Sequence, residues 1–126
     1  MREFKYETRR LQDRPLAVFT LQGNIDSVAT YQLNDALGTL LDSKISHLVV
    51  DMVRVGYVNS EGWRVLLMRA QQLKQHNGEM RLADMAHDLM TVFRSLGLSE
   101  IITYHDNLED ALQASITAFD ATQKSR

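Results

Sequence analysis

The turn Asn59-Ser60-Glu61-Gly62 carries the densest chemistry in this 126-residue chain. A carboxamide, a hydroxyl and a carboxylate stand between an apolar stretch and a helical pattern, where hydrolases place a nucleophile. A nucleophile elbow needs small residues two positions either side of the serine. Here they are Val58 and Gly62, so half the pattern is met, and no base follows in the expected order. Asn59 or Ser60 reads more plainly as a helix N-cap, a short oxygen accepting an orphan N–H of the first turn. Asp51, at the end of an apolar run, raises a second option: a phospho-accepting aspartate with magnesium. That chemistry wants further carboxylates after the first parallel strand, where the chain reads Gly23-Asn24-Ile25-Asp26 with one acid. It also wants a lysine after a late strand, and Tyr104-His105-Asp106 offers none. A strand-end carboxylate bonded to neighbouring backbone is the plainer role. The four histidines are scattered, and no HExxH, GxGxxG or GxxxxGK occurs. No catalytic residue, metal ligand or cofactor is expected.

The elements that must position this turn follow from periodicity. Leu48-Val49-Val50 is short and β-branched, as a strand buried on both faces would be, and a second β-rich piece covers Val53 to Val58. After the turn, Trp63, Leu66, Leu67, Ala70 and Leu73 fall on one helical face. The turn therefore lies at the positive end of a helix dipole, close to the surface.

Upstream, Phe4, Tyr6 and Thr8 alternate with charged residues as a half-exposed strand does. Arg9 to Pro15 reads as a turn, and Leu16 to Leu21 as a second strand pairing antiparallel with the first. Gly23 to Ser27 breaks it, with Asp26 or Ser27 capping a helix to about Leu41. Downstream, Gly78 is expected at a helix C′ position, Met80 and Leu82 in a strand, and Asp84 as cap of a helix bearing Leu89, Val92, Phe93 and Leu96 that Gly97 ends. Ile101 to Tyr104 reads as the last strand. Asn107 caps a final helix with Leu108, Leu112, Ile116 and Phe119, and Asp110 resembles a capping-box partner. One domain is expected over residues 1–119, with a frayed or disordered tail from Asp120 to Arg126. The order β-β-α-β-α-β-α-β-α implies an α/β fold: a small, mostly parallel sheet with an antiparallel N-terminal edge strand, packed by about four helices.

Composition narrows the function. Net charge is −2 with no one-sign block, which argues against a nucleic-acid binder. Cysteine is absent, which excludes disulfides, zinc-thiolate sites, iron–sulfur clusters and a cysteine nucleophile. No apolar stretch approaches the roughly 18 residues of a membrane span, and the N-terminus has charges where a signal peptide needs an apolar core. A cytoplasmic protein without membrane insertion is expected.

Four segments together resemble the STAS domain, the fold of bacterial anti-sigma factor antagonists. Gly23 to Asp26 is similar to that family's Gly-x-Ile-Asp. Leu48 to Gly62 looks like its apolar strand, aspartate, short strand and phosphorylation turn. Gly78 to Ala83 fits its next strand, and Phe93 to Ile102 its helix ending in Gly-Leu before an apolar strand. The resemblance implies a non-catalytic regulatory module that binds a protein partner, commonly a serine kinase that is also an anti-sigma factor. It implies release by phosphorylation in an Asp-Ser-Ser/Thr-Gly turn, with Glu61 standing at the place just before the glycine where the family is phosphorylated. On that reading Glu61 imitates part of a phosphate's charge, and Ser60 stays phosphorylatable as its neighbour. The expected contact surface is Tyr57, Val58, Trp63, Arg64 and Met68 around Asn59 to Gly62, with Asp26 and Asp51 supporting. The alternative is a STAS accessory subunit of a membrane lipid or solvent transporter. An antiparallel edge strand can be covered by the chain itself or paired with a second copy as a homodimer.

Overall fold

A computed structural model describes residues 3–124. Five strands form one sheet in the order β1-β2-β3-β4-β5. β1 (Lys5–Arg10) runs antiparallel to β2 (Leu16–Ile25); β3 (His47–Val58), β4 (Glu79–Ala83) and β5 (Thr103–His105) continue parallel. Helices α1 (Ser27–Asp42), α2 (Ser60–Gln75), α3 (His87–Ser95) and α4 (Leu108–Lys124) connect or follow them. The α/β architecture expected from the sequence is the one observed.

Alternation sorts the strand residues between the two faces. Ala17, Phe19 and Leu21 of β2, with Leu48, Val50 and Met52 of β3, join α1, α2 and α3 in the main core. Val18, Val49 and Ala83 face the other way and meet Ala111 of α4, with Leu108 and Leu112 at its margin. The continuous apolar runs of β2 and β3 exist because helices cover both faces of these central strands.

The strands are longer than the sequence suggested. β1 reaches Arg10 and β2 runs through Gly23 to Ile25, where a break was expected. β3 is one continuous strand rather than two pieces. Register shifts between Thr20 and Gln22 and between Gly23 and Asn24 absorb the irregular spacing, so pairing with β3 survives past the glycine.

Other differences lie at element ends. Asp84 does not cap α3; its own backbone is left-handed, and α3 begins after Ala86 without a side-chain cap. The last strand starts at Thr103, because Ile101 and Ile102 bond back to Leu98 at the end of a 3-10 turn (Leu98–Glu100). At the end of α2 the left-handed C′ residue is Asn77, while the Gly78 N–H closes on the Leu73 carbonyl at 2.8 Å. Gly78 is needed for another reason: a Cβ there would lie 1.8 Å from the Ser46 carbonyl oxygen. The expected tail is helical as far as Lys124, and Asp120 pairs with Arg14 at 2.9 Å; residues 125 and 126 lie outside the described residues.

Candidate functional site

Two helix N-termini meet at the carboxyl ends of β2 and β3. Each strand is followed directly by a residue whose side chain caps the next helix. Asp26 caps α1, its Oδ1 accepting the Ala29 N–H at 2.9 Å. Asn59 caps α2, its Oδ1 accepting the Gly62 N–H at 2.8 Å. The two turns are then tied together. The Asn59 N–H donates to the Ile25 carbonyl at 2.9 Å. The Thr30 hydroxyl lies 3.1 Å from Asn59 Oδ1 and 2.8 Å from the Asp26 carbonyl, and Asn59 Nδ2 reaches Ser27 Oγ at 3.5 Å. Thr30 is buried and does the bridging, and nothing in its periodicity marked it beforehand.

Gly62 lets α2 approach the strand ends. A Cβ at that position would lie 2.8 Å from Val58 Cγ1 and 3.0 Å from Ile25 Cγ2. The first turn of α2 therefore rests directly on the last residues of β2 and β3, and Ser60 and Glu61 are held outward.

Because Asn59 takes the cap, Ser60 is free of that duty. It is exposed, and its hydroxyl bonds to none of the described residues. Glu61 is also exposed and sits 3.8 Å from Arg64, one turn on. Both partners are in solvent, so that pair contributes about 0–1 kcal/mol. The turn thus presents one free hydroxyl, one carboxylate and one guanidinium at the positive end of a helix.

The remaining expected contact residues divide. Tyr57 is 51% exposed and Met68 47%, and both stand beside the turn in sequence or along α2. Val58 and Trp63 do not belong to the surface. Trp63 is 2% exposed, its ring 6.2 Å from that of Phe93, and Val58 is buried with it in the main core. The stripe that carries Trp63 is the side of α2 that covers the sheet, so the residue supports the turn from beneath. Besides the buried Thr30, sequence reasoning missed two surface residues on α1. Val28 and Tyr31 are exposed, Tyr31 at 77%, and Tyr31 faces Met68 and Arg64 across a groove of about 420 Å³ between α1 and α2. Their signal was available: each is an apolar or aromatic residue lying off the Leu33–Leu37 stripe.

Asp51 is not part of this constellation. It pairs with Ala83 in mid-β3, and the seven residues from there to Val58 span about 23 Å of strand. It is buried, and its Oδ1 accepts the Val53 N–H at 3.2 Å. Burial holds its carboxyl above the usual range, with the Val53 hydrogen bond opposing and the charge of Asp84 adding to the rise. Among the described residues no helix is long and apolar enough to cross a membrane, and no three metal-capable side chains gather.

A mostly parallel sheet whose central strands lead into two side-chain-capped helix ends, with a groove between α1 and α2, defines a small α/β module. The chain belongs to the STAS domain family, whose sequence profile matches residues 7–111. Among relatives, it is 32% identical over 103 residues to a Bordetella bronchiseptica protein named as a candidate anti-sigma factor antagonist, BtrV, covering 82% of this chain and 89% of that one. Its fold is similar to the crystal structure of an anti-sigma factor antagonist from Mycobacterium paratuberculosis, with a TM-score of 0.80 at 21% identity over 90% of this chain and 94% of that one. It also resembles the phosphorylated form of the Bacillus cell fate determinant SpoIIAA, with a TM-score of 0.67 at 21% identity over 89% and 98% of the two chains.

Proposed function

We propose that this protein is a cytoplasmic, non-catalytic regulator of anti-sigma factor antagonist type. On this reading its capped turn and the α1–α2 groove bind a serine kinase that doubles as an anti-sigma factor. The observation that carries it is the coincidence of exposed apolar residues with a free hydroxyl. Val28, Tyr31, Tyr57 and Met68 stand around a turn whose serine is released from capping. Exposed aromatic and methionine side chains beside a polar rim are the composition of a recognition surface.

The geometry favours Ser60 over the position of Glu61 as the regulated one. A phosphate there would add about −1.5 to −2 charges at the first residue of α2. It would also stand one turn from Arg64, which is at the helical spacing for a pair and now faces Glu61. Glu61 supplies a standing negative charge beside it that sets the baseline affinity. The Bacillus protein of like fold, solved in a phosphorylated form, supports a fold that accepts such a charge.

The test is affinity capture from the native cell with wild type, Ser60→Ala, Ser60→Asp, Glu61→Ser and Tyr31→Ala, and identification by mass spectrometry. The expected result is an ATP-binding kinase-fold protein held by wild type and Ser60→Ala, and lost with Ser60→Asp and Tyr31→Ala. Glu61→Ser should change its recovery. One partner set held by all five forms overturns the reading, and a membrane transporter in that set would make the domain a fixed accessory subunit.

A further inference from the structure

The sheet has two edges, β5 with three residues and β1 with six. Every residue of β1 from Lys5 to Arg10 is exposed, and the strand pairs only with β2. A six-residue edge with a free row of backbone N–H and C=O groups is a template for another strand, and charge is the usual device that blunts it. Here the charges alternate in sign instead of repeating. Lys5, Glu7 and Arg9 point to one face of the sheet, and Tyr6, Thr8 and Arg10 to the other.

That pattern selects what can add to the edge. When a strand pairs antiparallel with its own copy across a two-fold axis, outward-facing backbone groups must meet outward-facing ones, so facing residues share parity. Centred on Glu7, the pairing sets Glu7 against Glu7 and Lys5 against Arg9, which is like on like. Centred on Tyr6, it also sets opposite charges together, Lys5 against Glu7, but it pairs only three residues within the strand: Thr8 needs Phe4, outside it, and Arg9 and Arg10 find no partner in it. Centred on Thr8, it keeps five of the six residues paired within the strand, and Lys5 alone faces Leu11 beyond its end. Glu7 then faces the second copy's Arg9 twice over, and Tyr6 lies along the stem of the second copy's Arg10. Arg10 is already steadied by donating to the Ser43 carbonyl at 3.0 Å.

We propose that two copies of this chain pair edge to edge through β1, with Thr8 on the two-fold axis, to form one continuous ten-stranded sheet. The interface is isologous, as closed homodimers require, and its specificity rests on the two Glu7–Arg9 pairs.

The full chain tests this by sedimentation equilibrium across the micromolar to millimolar range. Wild type should dimerise. Glu7→Arg and Arg9→Glu should each weaken the dimer by about tenfold or more, because each turns two attractive cross-strand pairs repulsive. The double exchange Glu7→Arg with Arg9→Glu should restore it to within about threefold. Circular dichroism checks that all forms are folded. An independent readout uses the absence of native cysteine. Thr8→Cys should cross-link rapidly under mild oxidation, because facing Cα atoms at about 4.5–5.5 Å suit a disulfide, whereas Tyr31→Cys should not. A chain that is monomeric throughout, an Arg9→Glu variant that dimerises normally, or Thr8→Cys cross-linking no faster than Tyr31→Cys overturns the proposal.

Discussion

Replacing Asn59 by alanine tests whether the site is one structure or two adjacent turns. The side chain caps α2 through Gly62 at 2.8 Å and receives the Thr30 hydroxyl of α1 at 3.1 Å. Losing an N-cap costs about 1 kcal/mol. Losing the bond to Thr30 adds about 0.5 kcal/mol, at the low end for a hydrogen bond because Thr30 keeps the Asp26 carbonyl at 2.8 Å. The expected total is therefore about 1.5 kcal/mol. Unfolding entropy of roughly 2.1 cal/mol/K per residue gives about 0.26 kcal/mol/K for 126 residues, so Tm should fall by about 6 °C. Urea unfolding gives the free energy and calorimetry the Tm. Asn59→Asp keeps a capping oxygen and should stay within about 0.5 kcal/mol of wild type. A double-mutant cycle with Thr30→Val should show a coupling of about 0.5 kcal/mol, since the two side chains share the bridge. An Asn59→Ala cost below about 0.5 kcal/mol, or an Asp variant as unstable as the Ala variant, would refute the capping assignment.

Three further outcomes follow from the same geometry. His47 is buried against Phe119, with Ser46 Oγ 2.8 Å from its Nδ1 and Glu79 and Arg81 nearby; burial lowers its pKa, Glu79 opposes and Arg81 adds. His105, beside Arg81, shifts the same way for the same first reason. The unfolded chain therefore binds more protons just below its histidine pKa of about 6.5, so stability should fall as pH drops through that value, and His47→Gln should flatten the curve in urea titrations. Asp51 works with the opposite sign lower down, its raised pKa favouring the folded state as the carboxyl protonates. Gly78→Ala should cost roughly 2 kcal/mol or more, because its Cβ meets backbone at Ser46. Gly62→Ala should cost less, about 1 kcal/mol, because it presses on side chains and gains helix propensity; chemical denaturation ranks the two. Trp63→Ala should cost about 3–5 kcal/mol. Trp63→Phe should cost under half of that, because it also removes a buried indole N–H that has no partner among the described residues.

Periodicity and caps reached most of the way to this fold. The apolar runs of β2 and β3, the Trp63–Leu73 stripe and the capping residues before α1, α2 and α4 depend on neighbours within a few positions, so a linear reading captures them. That reading placed the polar turn at Asn59 to Gly62 between a strand and a helix, and gave the order of strands and helices. It failed where a contact is made across the chain. Gly23 looks like a breaker until β3 pairs past it, and Gly78 looks like a cap until the Ser46 carbonyl is brought against it. Trp63 could have been core or contact from its stripe alone; only the placement of Phe93 and the sheet buries it. Thr30 and Tyr31 joined the site because α1 lies beside α2, and no spacing within either helix records that adjacency. The sequence determined the elements and the chemistry at their ends. The tertiary structure decided which of those ends meet, which side chains they cover and which they leave exposed, because burial is set by residues far apart in the chain.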